Sequence, residues 1–314
     1  MPRAFDGVVP VIKPPGMTSH DVVAFARRLL GIREVGHAGT LDPDAAGVLP
    51  LLVGRATKIL PFLQEVPKSY RAEMVFGIST DTMDASGRVT AVNRDFRIPR
   101  ARLMDALYHF TGEIEQVPPM VSAVHYKGRR LYELAREGRS VERPARVVRI
   151  FSLSVFDWGP VGEWIEPGDT VTLDIRCSTG TYVRSLVDDI GRELSCGACL
   201  SFLVRTESAG FALIDSLTLE ELGAMLGSGK AGDVLVPLSQ ALRHIPTIAL
   251  RDSEVGPATH GSPIRLREDD ERVGGLCDLD RVKLTSGDTV IAISRLYRVP
   301  GGFVIRPDRV LHQG

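Results

Sequence analysis

The sequence predicts an α+β protein in two parts, a large mixed domain followed by a small β unit. Three observations carry this. A chain of 314 residues exceeds the size at which a single core usually keeps growing. Up to about residue 235, strand-like alternation and helical periodicity succeed one another along the chain. Beyond it the texture changes to short alternating runs punctuated by Gly and Pro, such as "DRVKLTSGDTVIAISRLYRVPGGFVIRP". The boundary falls at about 240, giving parts of 1–239 and 240–314.

Taken in order, "TSHDVVAFARRLLG" reads as a helix. Thr18 is its N-cap with Asp21 three residues on, Val22, Phe25, Ala26 and Leu29 form one apolar face, and Gly31 is the stop. "SYRAEMVFG" alternates Tyr70, Ala72, Met74 and Phe76 against Arg71, Glu73 and Val75, a strand with one buried face. "ISTDTMDASG" follows as a polar loop with turn chemistry. "RARLMDALYHF" sets Leu103, Ala106, Leu107 and Phe110 at helical spacing, and the prolines at 118 and 119 break the chain after it. Val171, Leu173, Ile175 and Cys177 then alternate as a strand, and after the turn "STG" Val183, Leu186, Val187, Ile190 and Leu194 mark a helix. Strand, tight turn and helix together put Tyr182 and Arg184 at a helix N-terminus.

Composition excludes several classes. With 44% apolar, 25% charged and 6% aromatic residues, the chain is neither disordered nor collagen-like. No apolar run approaches a membrane span and the N-terminus lacks a leader pattern, so a cytoplasmic protein without membrane contact is expected. Four cysteines are too few for a disulfide framework, and the lone CxxC, Cys196 and Cys199, lacks the two further ligands zinc would need. "REDDER" at 267–272 reads as a solvated loop. Net charge is −1, but residues 125–149 carry eight Lys or Arg against three Glu, a net +5. Such a segment is a candidate polyanion footprint or a solvated face.

The densest punctuation lies in "GHAGTLDPDAAGVLP", residues 36–50. Two readings stand. Asp42 as N-cap, Pro43 at the first helical position and Asp44 in the first turn make a helix start needing no function. Alternatively, Pro43 biases Asp42 toward extended backbone while Gly36 and Gly39 free the approaching chain, so that the loop aims a carboxylate at a ligand. A carboxylate aimed in this way is usually held by an arginine, and Arg184 is a candidate. In a first helical turn the dipole disfavours a cation, which calls for another interaction to hold it; an i,i+4 pair with Asp188 is the plain alternative.

Five blocks, "KPPGMTSHDVV", "GHAGTLDPDAAGVLPLLVGRATK", "KSYRAEMVFGISTDTMDASG", "RRLYELAREG" and "GTYVRSLVDDIG", together resemble the TruB family of bacterial tRNA pseudouridine synthases, in the family's order over residues 13 to about 205. The resemblance implies a pseudouridine-synthase core, a mixed and mainly antiparallel sheet flanked by helices, with a PUA-like β domain at 240–314. It implies an isomerase acting on a uridine of the tRNA T-loop, position 55, after base flipping. Asp42 would be the catalytic carboxylate, attacking C1′ or removing the 2′ proton. Tyr70 would lie against the base and help deprotonate C5, and Arg184 would pair with Asp42, supported from its other side by Asp84, which alone reads as a turn residue. Tyr182 and Leu203 would line the uracil pocket. His37 would fill the gap left by the flipped nucleotide, which returns part of the unstacking cost. Asp44 falls at a variable position of the motif and keeps only the helix-start role.

The basic segment, about 118–149, corresponds to the family's thumb, in which Lys127, Arg129 and Arg130 would meet the RNA backbone without reading sequence. The resemblance implies no metal, no cofactor, no obligatory protein partner and a monomer bound to the T-arm of tRNA. Two other functions compete with it. A non-catalytic tRNA-binding or folding module would account for the basic segment and the β unit, and a guide-RNA-dependent pseudouridine synthase would keep the chemistry but change the substrate. A haloacid-dehalogenase phosphatase, suggested by the DxD of Asp42 and Asp44, fails because "REVGHAGTL" is too polar and glycine-rich for the buried strand such a site follows.

Overall fold

The computed structural model describes residues 6–122, 125–126, 128–139, 141–229 and 232–312. In chain order its main elements begin with β1 (Gly7–Lys13), α1 (Ser19–Leu30), β2 (Val35–His37), β3 (Ala46–Val53), β4 (Lys68–Phe76) and α2 (Arg100–His109). They continue with β5 (Gly112–Gln116), β6 (Arg146–Asp157), β7 (Thr170–Cys177), α3 (Val183–Glu193), β8 (Ala198–Ser208), β9 (Phe211–Ala212) and α4 (Leu219–Gly227). Last come β10 (Thr247–Ala249), α5 (Asp252–Thr259), β11 (Ile264–Arg267), β12 (Arg281–Ser286), β13 (Thr289–Val299) and β14 (Gly302–Val310).

β1 to β9 form one sheet in the order β1-β3-β8-β4-β7-β6-β5, with β2 added to β3 and β9 to β8. All pairs are antiparallel except β3 with β8, which touch in parallel only at Val204 opposite Ala46 and Arg205 opposite Gly47. This contact brings the strand leaving the Asp42 loop beside the strand carrying Leu203 and Arg205. Gly47 permits it: its φ is +111° and a Cβ there would lie 2.2 Å from the Arg205 carbonyl oxygen.

The alternation of β4 and β7 is realised. Tyr70, Ala72, Met74 and Phe76 join Val171, Leu173 and Ile175 in one core with Leu103, Ala106 and Leu107 of α2 and Leu186, Val187 and Ile190 of α3. On the opposite face Arg71 and Asp174 pair across the strands at 3.1 Å. α1 and α4 cover Val9, Val11, Leu49 and Leu51 at the other end of the sheet. A third cluster joins Val8, Val48 and Leu52 to Val290, Ile293 and Leu311 of the C-terminal part. There, β10 to β14 form a separate five-stranded curled sheet in the order β10-β12-β13-β14-β11.

α1 has the expected Thr18–Asp21 capping box and a left-handed Gly31 at its end. Leu29, however, is exposed; Leu30, with Ile32 and Val35 after the turn, packs in its place. The Asp42-Pro43-Asp44 helix start does not form. The Ala45 amide donates to the Asp42 carbonyl at 3.1 Å, a single turn, and β3 begins at Ala46. The apolar run to Val53 pairs with β1 over seven residues, and Gly47 at positive φ together with Pro50 makes a helix there untenable. Nor is "REDDER" merely solvated: Arg272 bridges Asp270 at 2.8 Å and Glu254 at 2.7 Å.

Candidate active site

The loop between β2 and β3 carries Asp42 and is fixed from three sides. The Ser19 hydroxyl brackets Leu41, accepting from its amide at 3.0 Å and donating to its carbonyl at 3.2 Å. The Pro43 carbonyl accepts from the Lys13 ammonium at 2.8 Å and from the Gly16 amide at 2.9 Å. Burial lowers the Lys13 pKa to about 8. Arg205 donates from Nη2 to the Gly39 carbonyl at 3.0 Å, from Nη1 to Thr40 at 3.3 Å and from Nε to Val48 at 2.8 Å. A loop without regular structure is thereby as constrained as a strand, which suits it to hold a reacting group in place.

Asp42 leaves 47% of its side chain open, whereas Arg184 is only 5% exposed. Arg184 Nε stands 3.0 Å from Asp42 Oδ2, and its Nη1 stands 3.5 Å from Asp84 Oδ2. Two carbonyls complete the cage, Thr82 at 3.2 Å and Val121 at 2.8 Å. These partners hold a cation in the first turn of α3 against the dipole. The Asp188 alternative is not used: Asp188 pairs with Arg192 at 2.7 Å. Asp84 is itself aimed, since its Oδ1 accepts from the Thr82 hydroxyl at 2.7 Å and the Ser86 hydroxyl at 2.6 Å, which leaves Oδ2 for Arg184. Burial pushes the Asp42 carboxyl above its usual range, and Asp84 adds to this while Arg184 opposes it.

Asp42, Asp84, Arg184, Leu203, Val121 and Phe202 help line a single open pocket of about 390 Å³. Tyr70 and Tyr182 are not among its lining residues. Tyr70 lies in the core with Leu41, Ala45 and Leu203, opposite Arg205 of β8, and burial raises its pKa. Tyr182 caps α3, and its backbone is pinned by the buried Gln116, which accepts from its amide at 3.0 Å and donates to its carbonyl at 3.3 Å. His37 ends β2 and meets the His20 ring edge-on at 5.7 Å. Burial, then the neighbouring His20 and Arg205, lower its pKa.

In the basic segment a short hairpin pairs His125–Tyr126 with Arg129–Arg130. Lys127 and the Arg130 side chain lie outside the described residues. Arg129 is engaged by Glu137, with one nitrogen–oxygen contact of 3.1 Å, and Arg143 donates to the Pro118 carbonyl at 2.8 Å. The segment therefore spends part of its charge internally. Sequence reasoning missed Arg205, Ser19 and Gln116. Arg205 left one signal: it shares the core-facing phase of β8 with Leu203, an arginine where a strand should bury an apolar side chain.

The family model described as TruB family pseudouridylate synthase (N terminal domain) matches residues 27–183, and that of the tRNA pseudouridylate synthase B C-terminal domain matches residues 184–243. The tRNA pseudouridine synthase B of Moorella thermoacetica is 44% identical, over 97% of this chain and 99% of its own. That of Symbiobacterium thermophilum is 49% identical over 82% of each. A chain in the crystal structure of a Cbf5-Nop10-Gar1 complex superposes with a TM-score of 0.74 at 26% identity, covering 98% of this chain and 86% of that one. The fold is that of the pseudouridine synthases, a mixed and mainly antiparallel sheet followed by a PUA-like β domain. Two consecutive family domains and relatives aligned almost end to end lead to one conclusion: the chain belongs to the TruB family of tRNA pseudouridine synthases.

Proposed function

We propose that the chain converts a uridine in the T-loop of tRNA, position 55, to pseudouridine, with Asp42 as the catalytic carboxylate. The observation that carries this reading is the Asp42–Arg184–Asp84 constellation, in which a half-open carboxylate at a pocket is held by a buried guanidinium. The N1–C1′ bond of the uridine breaks, the uracil turns, and a C5–C1′ bond forms, while C5 loses a proton and N1 gains one. Atoms and electrons balance within one nucleoside, so the reaction calls for no co-substrate. Asp42 acts ionised, whether on C1′ or on the 2′ proton. Tyr70 assists at C5, Leu203 and Tyr182 bound the base, and His37 fills the vacated stack. Arg129 and its basic neighbours in the thumb, about 118–149, hold phosphates, with residues 240–314 as a second RNA-binding domain. The protein works as a monomer on the T-arm.

The deciding experiment is tritium release from an unmodified tRNA transcript carrying 5-tritiated uridine, with wild type and Asp42→Asn in parallel. Release of about one equivalent by the wild type alone is expected, with tRNA affinity of the variant within about an order of magnitude, because the carboxylate acts mainly on the transition state. Equal release by the variant would remove Asp42 from its role. Tight binding without release by either protein would leave a tRNA-binding module.

A further inference from the structure

Arg205 is the largest of the fully buried side chains, 1% exposed, and its surroundings are unusual. It sits on β8 directly opposite Tyr70 of β4 and, on the other side, Gly47 of β3. Its guanidinium binds the carbonyls of Gly39, Thr40 and Val48 and lies beside the Tyr70 phenol. Among the described residues no carboxylate pairs with it. The groups that feel its charge are basic: the Lys68 and Lys13 ammonium groups and the His37 imidazole. Lys68 is itself buried, its pKa lowered to about 8 by burial and by Arg205, and it reaches only the Thr179 hydroxyl, at 3.5 Å.

A buried guanidinium without a counter-anion is expensive, and a neutral amide could bind the same carbonyls at less cost. What a neutral group could not do is favour negative charge on the phenolic oxygen. We propose that Arg205 is a positioning residue of the reaction, one that fixes the Tyr70 hydroxyl relative to the Asp42 loop and holds its oxygen as a hydrogen-bond acceptor. The proposal rests on the reading that Asp42 and Tyr70 act on uridine. The groups that face the phenol are Arg205 from β8, Cys177 from β7 and Asp42 from the loop, with Arg184 of α3 behind Asp42. Burial raises the Cys177 thiol to about 11 and so keeps it uncharged, and among the described residues Arg205 is the cation beside the phenol.

The test compares Arg205→Gln, Tyr70→Phe and the double variant in single-turnover pseudouridine formation on a tRNA transcript across pH, together with tRNA affinity and thermal melting. Arg205→Gln is expected to slow turnover on the order of 100-fold, to leave affinity within about threefold, and to move the rate-limiting ionisation to higher pH. In the Tyr70→Phe background the same change should cost less than about threefold, since coupled residues are not additive. Equal losses in both backgrounds, an unmoved pH profile, or loss of cooperative melting in Arg205→Gln would each make Arg205 a structural tie and overturn the proposal. Absence of pseudouridine with the wild type would overturn the underlying reading instead, and the proposal with it.

Discussion

Arg184 meets Asp42 at 3.0 Å from the first turn of a helix, a position where the dipole works against a cation. Four acceptors cage it, so its guanidinium geometry and its charge are both in use. Lysine has one charged nitrogen and cannot span Asp42, Asp84 and two carbonyls together. Arg184→Lys should therefore lower single-turnover pseudouridine formation by roughly 100-fold or more, while tRNA affinity, read by filter binding, changes less than about tenfold.

On the proposed reading Asp42 acts as a carboxylate, and burial first, then Asp84, hold its pKa above the usual 3.8. The rate should accordingly fall as pH drops through a value higher than that of an ordinary aspartate, because protonation removes the active form. Asp84→Asn removes one of the two upward influences, so the acid limb of the single-turnover rate should move to lower pH even as the looser Arg184 reduces its plateau. A limb that moved upward would mean Asp84 acts on Asp42 only through Arg184.

The frame of this site is legible locally wherever one face of an element is buried. β4, α2 and the β7–turn–α3 unit follow from periodicity alone. The site itself is not, because Asp42 and Arg184 meet only through tertiary contact and each has an adequate local explanation. The motif resemblance singles out both, but no pattern names Ser19 or Gln116, whose importance is only that they fasten backbone. The Asp42-Pro43-Asp44 stretch misleads for a related reason: its capping chemistry is sound, yet pairing of Ala46–Val53 with β1 outweighs it. "REDDER" misleads in the opposite sense, since charge density alone does not reveal that Arg251 pairs with its Asp270 and Glu254 with its Arg272.

Gly47 and Gly112 separate backbone strain from steric exclusion. Both have strongly positive φ, +111° and +107°, but a Cβ at Gly47 would strike the Arg205 carbonyl at 2.2 Å whereas one at Gly112 has nothing within 4 Å. Gly112→Ala should cost about 1 to 2 kcal/mol of strain. Gly47→Ala should cost about 3 kcal/mol or more, because the β3–β8 contact must open, and turnover should fall with it as Arg205 shifts. Denaturant unfolding of the two variants beside wild type measures the difference.

The C-terminal sheet carries its own acid sensitivity. Arg272 bonds Asp270 and Glu254, and hydrogen bonding to Arg272 holds the Asp270 carboxyl down to about 2. A carboxyl depressed in the folded state stabilises the fold above its unfolded value near 3.8 and loses that contribution as pH falls through about 2. Arg272→Gln removes the partner and leaves two carboxylates beside each other, so it should destabilise this sheet at neutral pH by on the order of 1 to 3 kcal/mol. The gap between variant and wild type in thermal melting should hold from neutrality down to about pH 4 and close toward pH 2, as protonation removes from the wild type what the substitution has already taken from the variant. A gap that stayed constant over that interval would place the effect of Arg272 in packing and in its bond to the Ala249 carbonyl.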